Sequence, residues 1–397
     1  MNRLSASFRT PLATALIVLL FLCGCNATRR NSATASTADT CYLLVGSYAP
    51  VQEEGIKVYA FDPESSNSRY VSGLRGLSNP SYLTVSRDGT KVYAVGEEND
   101  STSCAHTLSF DITTGRLTLV NTRPTHGAAP CYITLSPEED YVLTANYMGA
   151  NITLFPLDAQ GRLQPGSTID FSGHGPDPER QEQPHLHCVT FTPDNRLLLA
   201  NDLGTDRIHC FPLCTPQPDR ELPLLDTSAA FDIELPAGTG PRHLDFAPDG
   251  HHAYLLGELS GEVHAFAYDA GTLTHVQTLC ADTLQARGSA DIHVSPDGRY
   301  LYASNRLQGD GVAIFRIDDH DGTLTKVGYC PTGLHPRNFV ITPDGRYLLV
   351  ACRDSNEIQL YARDSVSGAL TDTGTRIETT RPVCLKFVPR VISSPQK

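Results

Sequence analysis

The sequence lacks several of the short motifs that mark common enzyme classes. It contains no glycine-rich nucleotide-binding loop, no Gly-x-Ser-x-Gly elbow and no cysteine in a setting typical of a nucleophile. Its cysteines and histidines also lack the spacing that zinc sites require. These absences argue against a nucleotide-dependent enzyme, an elbow-type serine hydrolase and a zinc protein, and we expect neither a metal ion nor another cofactor.

Basic residues are also scarce. The chain of 397 residues has 31 Lys and Arg against 44 Asp and Glu, so its formal net charge is −13. Without Arg3 and Arg9, which belong to the leader described below, the net charge is −15. A negatively charged protein repels the phosphates of nucleic acids, so no nucleic-acid partner is expected.

Residues 1–25 have the pattern of an export signal. A basic start precedes a largely apolar run from Leu12 to Leu22. The run ends in Leu22-Cys23-Gly24-Cys25, which resembles the bacterial lipobox, so we predict a lipoprotein signal peptide with Cys25 lipidated. A plain secretory signal or an N-terminal membrane anchor is the alternative, although the run is short for a spanning helix.

The remaining domain boundaries follow from composition. Residues 26–40 are rich in Ser, Thr and Ala and predict a flexible tether. Residues 41–390 are predicted to be one folded domain, and residues 391–397 a tail. The protein would then lie in the cell envelope, on the periplasmic or surface side, and touch the membrane only through its lipid anchor.

A hairpin turn of the type Ser/Thr-Pro-Asp-Gly recurs along the chain. Its copies lie about 50 residues apart, which is the period of a four-stranded β-propeller blade. The six copies are Ser86-Arg87-Asp88-Gly89, Ser136-Pro137-Glu138-Glu139, Thr192-Pro193-Asp194-Asn195, Ala247-Pro248-Asp249-Gly250, Ser295-Pro296-Asp297-Gly298 and Thr342-Pro343-Asp344-Gly345.

Short β-rich strands flank each turn. The preceding strand usually opens with proline, as in Pro241 to Phe246, and a second strand such as Tyr300 to Ala303 follows. A seventh copy of the first strand, Pro382 to Val388, has no second strand after it, whereas Tyr42 to Gly46 has the second-strand pattern. We therefore predict an all-β, seven-bladed β-propeller with four-stranded antiparallel blades, whose ring closes by pairing N- and C-terminal strands in one blade.

Charged residues cluster where the innermost strands begin, a position that faces one mouth of the central channel. The fold itself needs only small or β-branched residues there, so clustered His and Arg indicate ligand binding. The residues in this pattern are His185, His187, Arg242, His243, Asp291, His293 and Arg337.

Three segments carry a resemblance to a known family. Gly240-Pro241-Arg242-His243, Ala290 to Gly298, and His187 before the turn at Thr192 resemble the lactonase family of seven-bladed propellers, which includes bacterial 6-phosphogluconolactonases and related carboxymuconate cyclases. The resemblance covers Cys41 to Val388 and implies a lactone hydrolase with a small-molecule lactone substrate. It implies that His187, Arg242, Glu258 and Arg306 are catalytic. From their place at the starts of the innermost strands, we expect His185, His243, His293 and Arg337 to bind substrate.

These residue types suit lactone chemistry. Hydrolysis requires a base that deprotonates water, and His187 or Glu258 can take this role. Arg242 and Arg306 suit the developing oxyanion or a substrate carboxylate or phosphate, and Arg337 can assist binding. In the alternative interpretation Arg242 and Glu258 form only an inter-blade ion pair, and the histidines cap strands.

Asp291 and His293 alternate on one strand, so a hydrogen-bonded supporting pair is an alternative for them. Three functions remain open: a lactonase acting on a sugar-acid lactone, with 6-phosphogluconolactone implied by the resemblance, a cycloisomerase, and a non-catalytic propeller that binds a glycan or protein. Phosphorylated sugars are mainly cytoplasmic, whereas the lipobox predicts export, and an unphosphorylated lactone would remove this conflict. The oligomeric state is not predicted.

Overall fold

The structure is a computed structural model that describes residues 41–214 and 223–388. The predicted signal peptide (1–25), the lipidation of Cys25, the tether (26–40) and the tail (391–397) lie outside the described residues. Within the described ranges, the one helical element is a short 3₁₀ turn at Thr227–Ala229, and no helix is long and apolar enough to cross a membrane.

The described residues form seven four-stranded antiparallel sheets, which we number as blades I to VII. From the innermost strand outward, blade I contains β28 (Pro382–Phe387), β1 (Cys41–Ser47), β2 (Ile56–Asp62) and β3 (Asn67–Leu74). Blade II contains β4 (Leu83–Val85), β5 (Lys91–Gly96), β6 (Cys104–Asp111) and β7 (Arg116–Pro124). Blade III contains β8 (Pro130–Leu135), β9 (Tyr141–Asn146), β10 (Asn151–Pro156) and β11 (Ser167–Asp170). Blade IV contains β12 (Leu186–Phe191), β13 (Leu197–Asp202), β14 (Arg207–Pro212) and β15 (Phe231–Glu234). Blade V contains β16 (Pro241–Phe246), β17 (His252–Gly257), β18 (Glu262–Asp269) and β19 (Thr272–Cys280). Blade VI contains β20 (Ser289–Val294), β21 (Tyr300–Asn305), β22 (Gly311–Ile317) and β23 (Leu324–Pro331). Blade VII contains β24 (Pro336–Ile341), β25 (Tyr347–Cys352), β26 (Glu357–Arg363) and β27 (Leu370–Glu378).

The two ends of the described chain meet in blade I. β28 pairs antiparallel with β1, with Leu43 opposite Phe387 and Val45 opposite Leu385. The C-terminal strand thus supplies the innermost strand of a blade whose other three strands come from the N-terminus. The predicted seven blades, their four strands and this closure are confirmed, and the pairing removes a strand edge that would otherwise be open.

The repeated turn has a local physical basis, which blade VI illustrates. Ser295 Oγ donates to Asp297 Oδ1 at 2.6 Å and accepts from Tyr300 N at 3.0 Å, while Gly298 N donates to Ser295 O at 2.8 Å. Gly298 has φ +71°, a conformation that glycine adopts without steric cost. Glu139 holds the same left-handed conformation in blade III, at φ +56°.

The hydrophobic core lies between neighbouring blades. Between blades III and IV, for example, Leu143 and Ile152 pack in one cluster with Val189 and Leu198. Apolar packing of this kind stabilises each blade against the next. The residues at the start of the innermost strands are therefore left to vary with function.

Candidate active site

Three polar side chains occupy the same backbone irregularity at the start of an innermost strand. In blade V the pairing register shifts between Pro241 and His243, which leaves Arg242 as the extra residue of a β-bulge. His187 and Arg337 occupy equivalent bulges in blades IV and VII. Bulges re-aim a side chain and are frequent beside active sites. They bring these three residues to one mouth of the channel.

A second set of side chains reaches the same mouth from the residue after each second strand. The second strand runs antiparallel to the first, so it ends where the innermost strand begins. Glu258 follows β17 and Arg306 follows β21. The same position holds Tyr48 after β1, Glu97 after β5 and Tyr147 after β9.

Glu258 is the centre of a buried cluster of arginines. Its Oε2 lies 2.8 Å from Arg242 Nε and 3.4 Å from Arg306 Nη2. Its Oε1 lies 2.7 Å from Nη2 of Arg180, which comes from the connection between β11 and β12. We name these four residues the Glu258 cluster. Three of the four predicted catalytic residues thus meet, and their catalytic role stays a prediction.

The cluster keeps Glu258 ionised. Burial alone would raise the pKa of Glu258, but Arg306, Arg242 and Arg180 outweigh it and lower the pKa to about 2. Burial lowers the pKa of Arg306, and Glu258 partly offsets this effect. Three guanidinium groups around one carboxylate leave an excess of positive charge at the mouth.

Backbone carbonyls fix the two buried arginines in place. Arg242 Nη1 donates to Ala290 O. Arg306 Nε donates to Gly288 O at 2.7 Å, and its Nη1 donates to His335 Nε2 at 3.1 Å. Both arginines are therefore held by the chain that enters β20 as well as by Glu258.

His187 is buried beside the cluster, and its Nδ1 has no hydrogen-bond partner. Its ring lies edge-to-face against Tyr147 and His243, with centroids at 5.6 and 5.2 Å. Burial lowers its pKa well below the ordinary value, and Arg242 adds to this effect. His187 is therefore a neutral imidazole at pH 7.

His185 is anchored on Tyr147. The two rings stack with centroids 4.3 Å apart, and His185 Nδ1 lies 2.9 Å from the backbone oxygen of Tyr147. Its Nε2 lies 3.4 Å from Oε1 of Glu182. Both nitrogens thus have protein partners, and the residue supports the ring against which His187 packs.

Three rings meet across the channel below the mouth. Tyr82 and Tyr132 stack with centroids at 4.3 Å, and His243 lies edge-on to them at 6.0 and 5.4 Å. These residues come from blades II, III and V, which are not all neighbours, so their contacts cross the channel. We name them the aromatic floor.

His293 lies on the far side of Asp291 from His243. His293 Nε2 is 3.1 Å from Asp291 Oδ2, as the supporting-pair alternative requires, and its Nδ1 is 3.7 Å from Asp245 Oδ2. Burial would lower the pKa of His293, but Asp291 and Asp245 raise it to about 10. The structure does not bring His293 into contact with the Glu258 cluster.

Arg337 differs from the other arginines of the mouth. Its guanidinium lies 5.5 Å from the ring centroid of Tyr48, whose hydroxyl donates to the Glu97 carboxylate at 3.0 Å. Arg337 makes no hydrogen bond or ion pair with residues 41–214 or 223–388. Burial lowers its pKa, but Tyr48 and Glu97 raise it above the ordinary value. Arg337 is thus a charged group with free donors.

Sequence reasoning missed four residues of this mouth. Tyr48, Glu97 and Tyr147 occupy the position after a second strand, and comparing blades at that position would have found them. Arg180 carries no such signal, because its carboxylate partner lies 78 residues away in the sequence. Among the described residues, no three His, Cys, Asp or Glu side chains converge in a way that could hold a metal ion.

Comparison with known proteins agrees with this architecture. Residues 42–387 match the family described as lactonase, 7-bladed beta-propeller. The chain is 33% identical over 355 residues to the 6-phosphogluconolactonase of Bacillus subtilis, covering 87% of this chain and 98% of the relative. It is also similar to the solved periplasmic gluconolactonase PpgL of Pseudomonas aeruginosa, with 33% identity, a TM-score of 0.81, and coverage of 88% of this chain and 99% of that one.

A Bacteroides fragilis structure proposed to be a 6-phosphogluconolactonase is 49% identical, with a TM-score of 0.85, and covers 89% of this chain and 99% of its own. The fold and the site define a propeller enzyme with an arginine-rich mouth. The chain belongs to the family of seven-bladed β-propeller lactonases. The predicted family and the predicted lactone-hydrolase class are confirmed.

Proposed function

We propose that the protein hydrolyses a sugar-acid lactone in the mouth above the aromatic floor. The observation that carries this proposal is the buried Glu258 cluster beside a neutral His187 that has an unpaired ring nitrogen. A cationic, preorganised group beside a neutral imidazole is the combination that opening a lactone requires.

His187 is the better candidate for the base. Both oxygens of Glu258 are paired with arginines, so neither oxygen is free to take a proton from water. His187 is neutral and lacks a partner at Nδ1. Glu258 then serves to hold and orient the arginines.

The proposed reaction follows from these assignments. His187 takes a proton from water as the water oxygen attacks the lactone carbonyl carbon. Arg242 stabilises the resulting oxyanion through Nη2, since its Nε and Nη1 are engaged with Glu258 and Ala290. The bond between the carbonyl carbon and the ring oxygen then breaks, and His187 returns the proton to the ring oxygen, which leaves as a hydroxyl group. The new carboxylic acid ionises to a carboxylate.

We propose an unphosphorylated aldonolactone as the substrate. The curated relative from Bacillus subtilis is a 6-phosphogluconolactonase, whereas the structural neighbour from Pseudomonas aeruginosa is a periplasmic gluconolactonase. The lipobox-like end of the leader agrees with the second setting, in which phosphorylated sugars are scarce. The protein would act in the cell envelope, anchored through Cys25.

The test is hydrolysis of glucono-δ-lactone and of its 6-phosphate by the purified protein, corrected for spontaneous opening. Arg242→Ala should lower kcat/KM about 100- to 1000-fold. Arg346→Ala, at an exposed arginine paired with Glu64, is the matched control and should leave turnover unchanged. No turnover of either lactone would refute the lactonase proposal and favour the cycloisomerase or the scaffold. Preference for the phosphate ester would refute the proposed substrate.

A further inference from the structure

His243 links the Glu258 cluster to a buried aspartate of the next blade. Its Nε2 lies 3.3 Å from Arg242 Nη1, and its Nδ1 lies 2.7 Å from Asp291 Oδ1. All three side chains are buried. They form a continuous chain of contacts from Asp291 through His243 to the guanidinium of Arg242.

The chemistry of the two partners determines the tautomer of His243. A guanidinium only donates hydrogen bonds, so Nε2 must accept from Arg242. Nδ1 must then carry the proton and donate it to the carboxylate of Asp291. Burial and Arg242 lower the pKa of His243 to about 3, which agrees with a neutral ring.

Asp291 is itself held by two donors from β24 of the next blade. Asn338 Nδ2 donates to its Oδ2 at 2.5 Å, and Phe339 N donates to the same oxygen at 3.1 Å. Asn338 is oriented in turn, because Leu385 N of β28 donates to its Oδ1 at 2.7 Å. The carboxylate therefore has one position, in which Oδ1 points to His243.

We propose that Asp291 is a positioning residue, which fixes His243 as an acceptor for Arg242 and so holds the guanidinium in place for the substrate oxyanion. The proposal rests on the proposed function, in which Arg242 acts on the lactone. According to this proposal, the buried pair of His243 and Asp291 contributes to turnover. A purely inter-blade contact would affect only stability.

The test uses two substitutions of His243 that separate its two nitrogens. In His243→Gln the terminal carbonyl reaches the place of Nε2 and can accept from Arg242. In His243→Asn the amide lies near the place of Nδ1, so it keeps the contact with Asp291 and leaves Arg242 Nη1 without this acceptor. In His243→Asn we expect kcat to fall about ten- to a hundredfold and KM to stay within about twofold of the parental value. His243→Gln should retain most of the parental kcat.

Asp291→Asn should lower kcat at unchanged KM in the same way, because an amide at this site no longer demands the Nδ1–H tautomer. His264→Asn is the matched control: His264 is a buried histidine of the same blade whose Nδ1 is hydrogen-bonded to Thr278 in the outermost strand, and its loss should lower Tm with no change in kcat.

The outcomes separate the two proposals. If His243→Asn, His243→Gln and Asp291→Asn change Tm as the control does but retain the parental kcat, the positioning role is overturned. Equal losses of kcat in the Gln and Asn variants would also overturn it, since the acceptor at Nε2 would not matter. If Arg242→Ala itself retains turnover, the proposed function fails instead.

Discussion

The mouth contains two groups of charged residues that differ in how completely they are paired. In the Glu258 cluster, both carboxylate oxygens contact arginines, and Arg306 donates to carbonyls and to His335. The Arg337 guanidinium, by contrast, lies over the face of Tyr48 and near the charge of Glu97, without a hydrogen bond or a salt bridge among the described residues. The same residue type is therefore fixed in one place and free in the other.

This difference suggests a division of labour. A cluster whose carboxylate is paired at both oxygens and whose arginines are held by it does not rearrange when substrate arrives, so it can offer a preorganised field to a developing oxyanion. A cation without partners gains most from a ligand, because its donors are satisfied only when the ligand is bound. We therefore expect the Glu258 cluster to control turnover and Arg337 to control substrate affinity.

The largest effect should come from removing the centre of the paired group. Glu258→Gln leaves three guanidinium groups without their counter-charge, so the free energy of unfolding should fall by about 3–5 kcal/mol, and turnover should be lost. Urea unfolding and lactone hydrolysis measure the two effects. Glu64→Gln removes the exposed partner of Arg346 and should cost less than about 1 kcal/mol. Equal costs for the two variants would contradict the picture of a paired cluster.

The proposed base should have the next largest effect. His187→Asn should lower kcat by about 10²- to 10⁴-fold. The base must be unprotonated to act, and the pKa of His187 is depressed. In the parent protein, kcat/KM should therefore stay constant as the pH falls from neutral and decline only at a pH below the ordinary pKa of histidine. The pH profile of kcat/KM checks this expectation. An acid limb that persists unchanged in His187→Asn would assign the base elsewhere.

Arg337 should affect affinity more than turnover. Arg337→Met should raise KM about tenfold, which corresponds to about 1.4 kcal/mol, and change kcat by less than about threefold. Arg299→Met is a matched control, because Arg299 also lies over a tyrosine ring, 6.0 Å from the centroid of Tyr300. Steady-state kinetics of both variants test the contrast. A fall in kcat at constant KM for Arg337→Met would remove the proposed division between the two groups.

The smallest effect is a pH optimum of stability near the ordinary pKa of histidine. The pKa of His243 is lowered to about 3, so the free energy of unfolding should fall as the pH falls below 6.5. The pKa of His293 is raised to about 10, so the free energy of unfolding should also fall as the pH rises above 6.5. The pKa of Glu258, about 2, adds a loss only at stronger acidity. Urea midpoints across this range should show a maximum, and His293→Gln should flatten the alkaline side.

Much of the fold was predictable because its signals are local. The turn at Ser295 to Gly298 is stabilised by its own side chains, so its repetition along the chain marks one blade per copy. The closure of blade I followed from counting, since Pro382 to Val388 lacked a second strand and Tyr42 to Gly46 supplied one. Neither inference needed knowledge of side-chain contacts.

The site was predictable only in part. The positions of Arg242 and His187 were visible at the starts of strands, but the β-bulges that re-aim them depend on pairing with the second strand. The surroundings of His293 were less visible, because its contact with Asp245 joins two blades. The arrival of Arg180 at Glu258 depends on a long connection that carries no local signal.

The sequence by itself determined the blade count, the strand order and the cluster of His and Arg at one mouth, because turn chemistry and β-periodicity act over a few residues. The tertiary structure decided which arginines are paired and which is free, which carboxylate is held at a pKa of about 2, and which tautomer His243 adopts. These properties arise from contacts between residues far apart in the chain, and burial makes such contacts strong enough to set charge and orientation.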